Sequence, residues 1–138
     1  MTLSEIAAPV LASIAVVLSV IVFKRTVDYQ AYKDVDSDYR EVLKIGLDHP
    51  DFRNPEWTSE YTKKDPKEKL SYEQYAFMIW NIIEAIFDRG TIDKTWIPVI
   101  ILEKKLHYKW LEQNRDKFKD KFLNYVDNKT NPPCPANV

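Results

Sequence analysis

Glu103 and His107 lie four residues apart, a spacing that brings a carboxylate and an imidazole onto one face of a helix. Such a pair can ligate a metal ion or pass a proton. A zinc site normally shows three or four protein ligands, and the sequence supplies few others. The second histidine, His49, precedes Pro50, and the sole cysteine, Cys134, sits in the terminal NPPCPANV. The expectation is therefore no metal and no cofactor, with Glu103 and His107 a surface pair and His49 a turn residue bonded to backbone. Asp34, Asp36 and Asp38 imitate the start of a calcium loop. That loop requires glycine at its sixth position and glutamate at its twelfth, where this chain has Tyr39 and Ile45. These acids are expected on a solvated helix face.

Covalent catalysis would want a cysteine or serine held beside a base, and Cys134 lies where no geometry is pre-organised. With two glycines in the chain there is no glycine-rich phosphate cradle. No catalytic residue is assigned, and a non-enzymatic protein is expected. Two other groups could act as surfaces. Trp57, Trp80, Trp96 and Trp110 are more large rings than a small domain readily covers, so they are candidate interface residues. Lys104, Lys105, Lys109, Lys117 and Lys121 form a basic stretch, interleaved with Trp110 and Phe118, that could rest on anionic lipid headgroups.

The element that must position all of this is the run IAAPVLASIAVVLSVIVF at residues 6–23, which has no charged side chain. At a rise of about 1.5 Å per residue it extends roughly 27 Å, against roughly 30 Å of bilayer hydrocarbon. In lipid the backbone must satisfy its own hydrogen bonds, so such a span is a helix, with the Ser13 and Ser19 hydroxyls bonding back to carbonyls. No basic residue precedes it, unlike a cleaved signal. Lys24 and Arg25 follow it directly, which points the rest of the chain to the cytoplasm and the N-terminus outside. All 20 basic residues, and all 21 acids but Glu5, come after the run, so the remainder is balanced and has no field that would attract nucleic acid.

The helical period continues beyond the run. Tyr32, Val35, Tyr39, Val42 and Leu43 keep one face apolar as far as about Ile45, before Gly46 and His49-Pro50 interrupt it. Residues 48–69 read as a long connection with one short turn capped by Asp48, held to the core by Phe52 and Trp57. A capping box of Ser71 and Gln74 then opens the most apolar internal helix, which Gly90 ends. Asp93 or Thr95 caps a further helix with a Trp96, Val99, Leu102, Leu106, Trp110 stripe, and the pattern resumes as Phe118, Phe122, Tyr125 and Val126 with a break around 118–120.

The stretches LDHPDFR, WNIIEAIFDRG and WLEQNRDKFKDKFLNYVD resemble a pattern in uncharacterised small prokaryotic helical proteins that often carry one N-terminal membrane span. The resemblance covers roughly residues 32–127. It implies an all-helical, membrane-attached domain, a break near Lys119, and no assigned reaction or functional residue. The combined expectation is an all-α chain: a single transmembrane anchor at 1–25, a small antiparallel bundle at 26–127 that includes a stalk helix at 26–46, and a disordered tail at 128–138. It would serve as an accessory or interaction subunit whose partners are the lipid bilayer and either another protein or a second copy of itself. An anionic-lipid sensor is the alternative, and a metal-binding protein a weaker one.

Overall fold

A computed structural model describes residues 3–90 and 95–130, with side chains from Ile14 onward except at 31 and 32. Among the described residues every regular element is helical. The elements are α1 (Leu3–Asp48), α2 (Pro55–Ser59), α3 (Pro66–Asp88), α4 (Trp96–Gln113) and α5 (Asp120–Thr130), with 3-10 turns at Pro50–Arg53, Tyr61–Lys63 and Arg115–Lys117. The chain divides into two compact units, Met1–Ser37 and Asp38–Val138.

In the first unit α1 carries a side-chain surface of Ile14, Val16, Val17, Leu18, Val20, Ile21, Val22 and Phe23, each between 45 % and 71 % exposed. The Ser19 and Thr26 hydroxyls donate to the carbonyls of Ala15 and Val22, at 2.8 and 2.9 Å, so the polar atoms here are satisfied within the helix. Among the described residues no helix is long and apolar enough to cross a membrane. The expected span begins at Ile6, and the side chains of its first part, 6–13, lie outside the described residues.

The second unit is built around α3. Tyr72, Tyr75, Ala76, Ile79, Trp80, Ile83 and Ile86 are buried along it at spacings that repeat the helical turn. The helix starts five residues before the expected Ser71 cap. Asp65 accepts from the Lys67 amide and Pro66 takes the first helical position, where its missing N–H costs nothing. Gly90 at φ 68° closes the other end as expected, its amide donating to the Phe87 carbonyl. Phe77 and Met78 face outward, so the burial is less complete than the sequence suggested.

The expected connection 48–69 is more ordered than predicted. Its cap is Asn54, whose side chain accepts from the amides of Glu56 and Trp57 and starts α2; Asp48 is the last residue of α1. Phe52 is buried and packs on Trp57, Tyr72 and Tyr75, which fixes the segment to the core. Thr58 and Tyr61 are buried as well. The break expected near Lys119 is present. Phe118 is extended at φ −126° and ψ 157°, the Glu84 carboxylate accepts from the Lys119 amide at 3.0 Å, and α5 begins at the next residue. α5 continues to Thr130, so residues 128–130 of the expected tail are helical, and the rest of that tail lies outside the described residues.

Candidate functional site

α4 turns inward most of the stripe expected of it, Trp96, Leu106 and Trp110, and takes polar side chains in beside it. Ile100, Glu103, Leu106, His107, Trp110 and Leu111 are buried, while Leu102 is 46 % exposed. Glu103 and His107 are both 0 % exposed, which corrects their expected place on the surface. α4 packs against α2, α3 and α5, so a polar residue on this face must find its partners inside the protein.

Glu103 finds three. Its Oε1 accepts from the Tyr39 hydroxyl at 2.6 Å and from the Arg53 guanidinium at 2.7 Å, and its Oε2 accepts from the same guanidinium nitrogen at 2.8 Å. His107 Nε2 lies 3.3 Å from Oε2, outside hydrogen-bond geometry. Burial by itself would raise the Glu103 carboxyl. The contacts from His107, Tyr39 and Arg53 together outweigh it, and the carboxyl titrates below its usual range. The same pairing raises Arg53 against its own burial. For Tyr39, burial first and then the neighbouring Glu103 charge hold the phenol protonated to high pH. A charged pair with these bonds stays ionised in the interior, and taking away either partner would leave the other uncompensated.

The imidazole closes the network on its other side. The Tyr72 hydroxyl and His107 Nδ1 are 2.9 Å apart. Burial lowers His107 most, partly offset by Glu103, so the ring is neutral near pH 7. In that state Tyr72 donates to Nδ1 and the proton sits on Nε2, toward Glu103. α4 departs from helical geometry at His107, with φ −119° and ψ 23°. The Thr58 hydroxyl takes the Leu106 carbonyl there, at 2.6 Å. A side-chain donor from α2 thus serves a helix carbonyl next to the break.

Gly46 sets the approach of α1. A β-carbon added there would meet the Tyr75 hydroxyl at 2.5 Å and the Arg53 stem at 3.1 Å. That hydroxyl has no hydrogen-bond partner among the described residues. The arrangement ties α1, the 50–53 turn, α2, α3 and α4 to one carboxylate. The row of hydroxyl, imidazole and carboxylate from Tyr72 to Glu103 resembles a proton relay in order only. Both its ends are sealed, with Tyr72 0 % exposed. A cavity of about 470 Å³ is lined by Asp48, His49, Phe52, Trp57, Asp65 and Glu68 among others, and neither Glu103 nor His107 reaches it. Among the described residues no three His, Cys, Asp or Glu side chains come together as a metal site would require.

The other expected residues are scattered. His49 is exposed and stacks on Phe52 at 4.9 Å, with no side-chain hydrogen bond at its cap position. Trp80, Trp96 and Trp110 are buried within the second unit, and Trp57 is half-buried with Lys64 over its ring. Lys104 is buried, donating to Asp127 at 2.7 Å and Thr130 at 2.9 Å, and so leaves the basic surface. Lys109 donates to the Ser59 carbonyl, Lys117 lies over the Trp110 and Phe77 rings, and Lys105 and Lys121 are exposed. Arg53, Tyr39, Thr58 and Tyr72 went unrecognised as network members, because their link to Glu103 and His107 spans 35 to 64 residues of sequence. No protein-family model, curated protein or solved structure matches the chain.

Proposed function

We propose that this chain is a membrane-anchored accessory protein: α1 enters the bilayer through residues 6–23, and the helical unit from residue 38 onward is a non-enzymatic interaction body on the cytoplasmic side. The observation that carries this reading is the surface of α1 from Ile14 to Phe23, apolar but for Ser19, whose hydroxyl is bonded within the helix, and with eight large side chains 45–71 % exposed. Eight large side chains left in water would together forgo on the order of 10 kcal/mol of burial. An uncharged helix with this surface is matched to lipid or to another apolar helix. The sealed Glu103 cluster supports the non-enzymatic part, since its bonds are all spent on joining elements. Kinship with the small prokaryotic membrane-attached helical proteins belongs to the same reading and rests on the three sequence stretches alone.

The test is carbonate extraction of membranes from cells making the full chain, combined with cross-linking before lysis. Retention in the pellet and cross-linked species larger than the monomer are expected. Release by carbonate overturns the anchor. Retention with only monomer after cross-linking overturns the accessory role.

A further inference from the structure

The outward face of α4 is unlike the outer face of an ordinary bundle helix. Ile101, Leu102 and Tyr108 are 44 %, 46 % and 55 % exposed, and Lys105 stands between them. Ile101 and Lys105 lie one helical turn apart, with Leu102 beside them, and Tyr108 follows just past the break at His107. A shallow groove of about 450 Å³ runs along them, lined also by Lys104 and Thr130. The charges on this helix are unevenly spent. Glu103 is held by Arg53, and Glu112 by Arg115 at 2.9 Å. Lys109 is held on α2, donating to the Ser59 carbonyl and the Thr62 hydroxyl near the Glu60 carboxylate, and Lys105 pairs with no carboxylate among the described residues. The face is therefore apolar at Ile101, Leu102 and Tyr108 and carries the unpaired positive charge of Lys105.

We propose that this face docks on an anionic bilayer surface, Ile101, Leu102 and Tyr108 resting at the acyl–headgroup boundary and Lys105 on a lipid phosphate. Aliphatics and a tyrosine flanked by lysines are the composition that lies in the interface plane, not across it. The groove is too shallow to seat the buried aromatic anchor on which protein interfaces depend. The inference deepens the anchored reading and rests on it, because a chain held by residues 6–23 meets a lipid surface at high effective concentration.

The experiment uses the full chain carrying Cys134→Ser, with an environment-sensitive fluorophore on Ile101→Cys or, as a control on the outer face of α3, on Gln74→Cys. Each is reconstituted into vesicles of phosphatidylcholine alone or with about a third phosphatidylserine. The expected result is a blue-shifted emission, quenched by lipid-borne nitroxide, at position 101 in anionic vesicles only, weakened by salt and absent at position 74. Replacing Lys105 by Gln should lower the docked-to-undocked ratio about five-fold. A label at 101 that stays in water while the protein resists carbonate overturns docking and leaves the anchor standing. Equal shifts in neutral and anionic vesicles overturn the headgroup assignment. A shift in native membranes that is absent from protein-free anionic vesicles assigns the face to a protein partner and overturns the proposal. If carbonate releases the protein, the anchor fails, and the same label with vesicles added from outside decides docking alone: a shift sustains it and no shift ends it.

Discussion

Residues 14–23 of α1 and residues 103–107 of α4 invert the ordinary relation between polarity and burial. The first stretch is the most apolar part of the described chain and is exposed throughout; the second buries a glutamate, a lysine and a histidine. What separates them is partners. Val16, Val20 and Phe23 sit on a helix whose side chains meet no other element of their own unit. Glu103, Lys104 and His107 sit where Arg53, Tyr39, Asp127 and Tyr72 converge. A charge can enter an interior when its counter-charge and hydrogen bonds enter with it, and an apolar side chain stays exposed when nothing within reach covers it.

The comparison breaks most visibly at Glu103. Arg53→Met, which keeps the stem and removes the charge, should destabilise the second unit by about 3–5 kcal/mol, because an unpaired carboxylate remains inside. Urea unfolding followed by tryptophan fluorescence measures it; a loss under about 1 kcal/mol would mean the pair is no more than a surface ion pair. Val20→Arg tests the other side. It should leave that unfolding midpoint unchanged yet cost about 2.5–3.5 kcal/mol for placing arginine in a membrane, read as a shift from pellet to supernatant on fractionation. Gly46→Ala comes next. The added methyl collides with the Tyr75 hydroxyl and the Arg53 stem, so about 1–3 kcal/mol should be lost, and Gly46→Ala with Tyr75→Phe together should recover part of it.

Tyr39→Phe removes one of the three hydrogen bonds to Glu103 and should cost about 1–3 kcal/mol, with the two from Arg53 retained. The smallest effect is in pH. Unfolded His107 takes a proton near pH 6.5, whereas the buried ring takes one only at lower pH. Between those values the unfolded chain holds more protons, so stability falls as pH drops through about 6.5. Glu103 works in the same sense further down. Its contribution is complete above the ordinary carboxylate range and is lost as pH falls through its lowered folded value. His107→Gln should flatten the upper part of a stability curve taken from pH 7.5 to 5 and leave the lower part in place. An unchanged slope above pH 5.5 would place the ring in contact with water.

Local patterns carried the all-helical class, the Gly90 stop, the break before Asp120 and the docking of Phe52 and Trp57, because each depends on residues within a turn or two of one another. α3 shows the same legibility: its buried face is almost wholly apolar, so periodicity and burial agree. α4 shows where it ends. Apolar spacing finds Trp96, Leu106 and Trp110, which are buried, but it also takes in Leu102, which stays outside, and gives no sign that Glu103, Lys104 and His107 go inside with them. The aspartate at the start of α3 was missed for a smaller reason: Ser71 and Gln74 form a plausible cap inside a helix that had already begun at Pro66.

The sequence by itself determined that the chain is helical, and that one uncharged run, residues 6–23, precedes a charge-balanced remainder. Helical period, capping and hydropathy are properties of neighbours along the chain. Only the tertiary structure decided that Glu103 and His107 are interior, that Lys104 is spent on Asp127 and Thr130, and that Ile101 and Tyr108 are left outside. Those outcomes depend on Arg53, Tyr39 and Tyr72 arriving from 35 to 64 residues away, and the energy that puts a charge inside belongs to the pair, not to either residue alone.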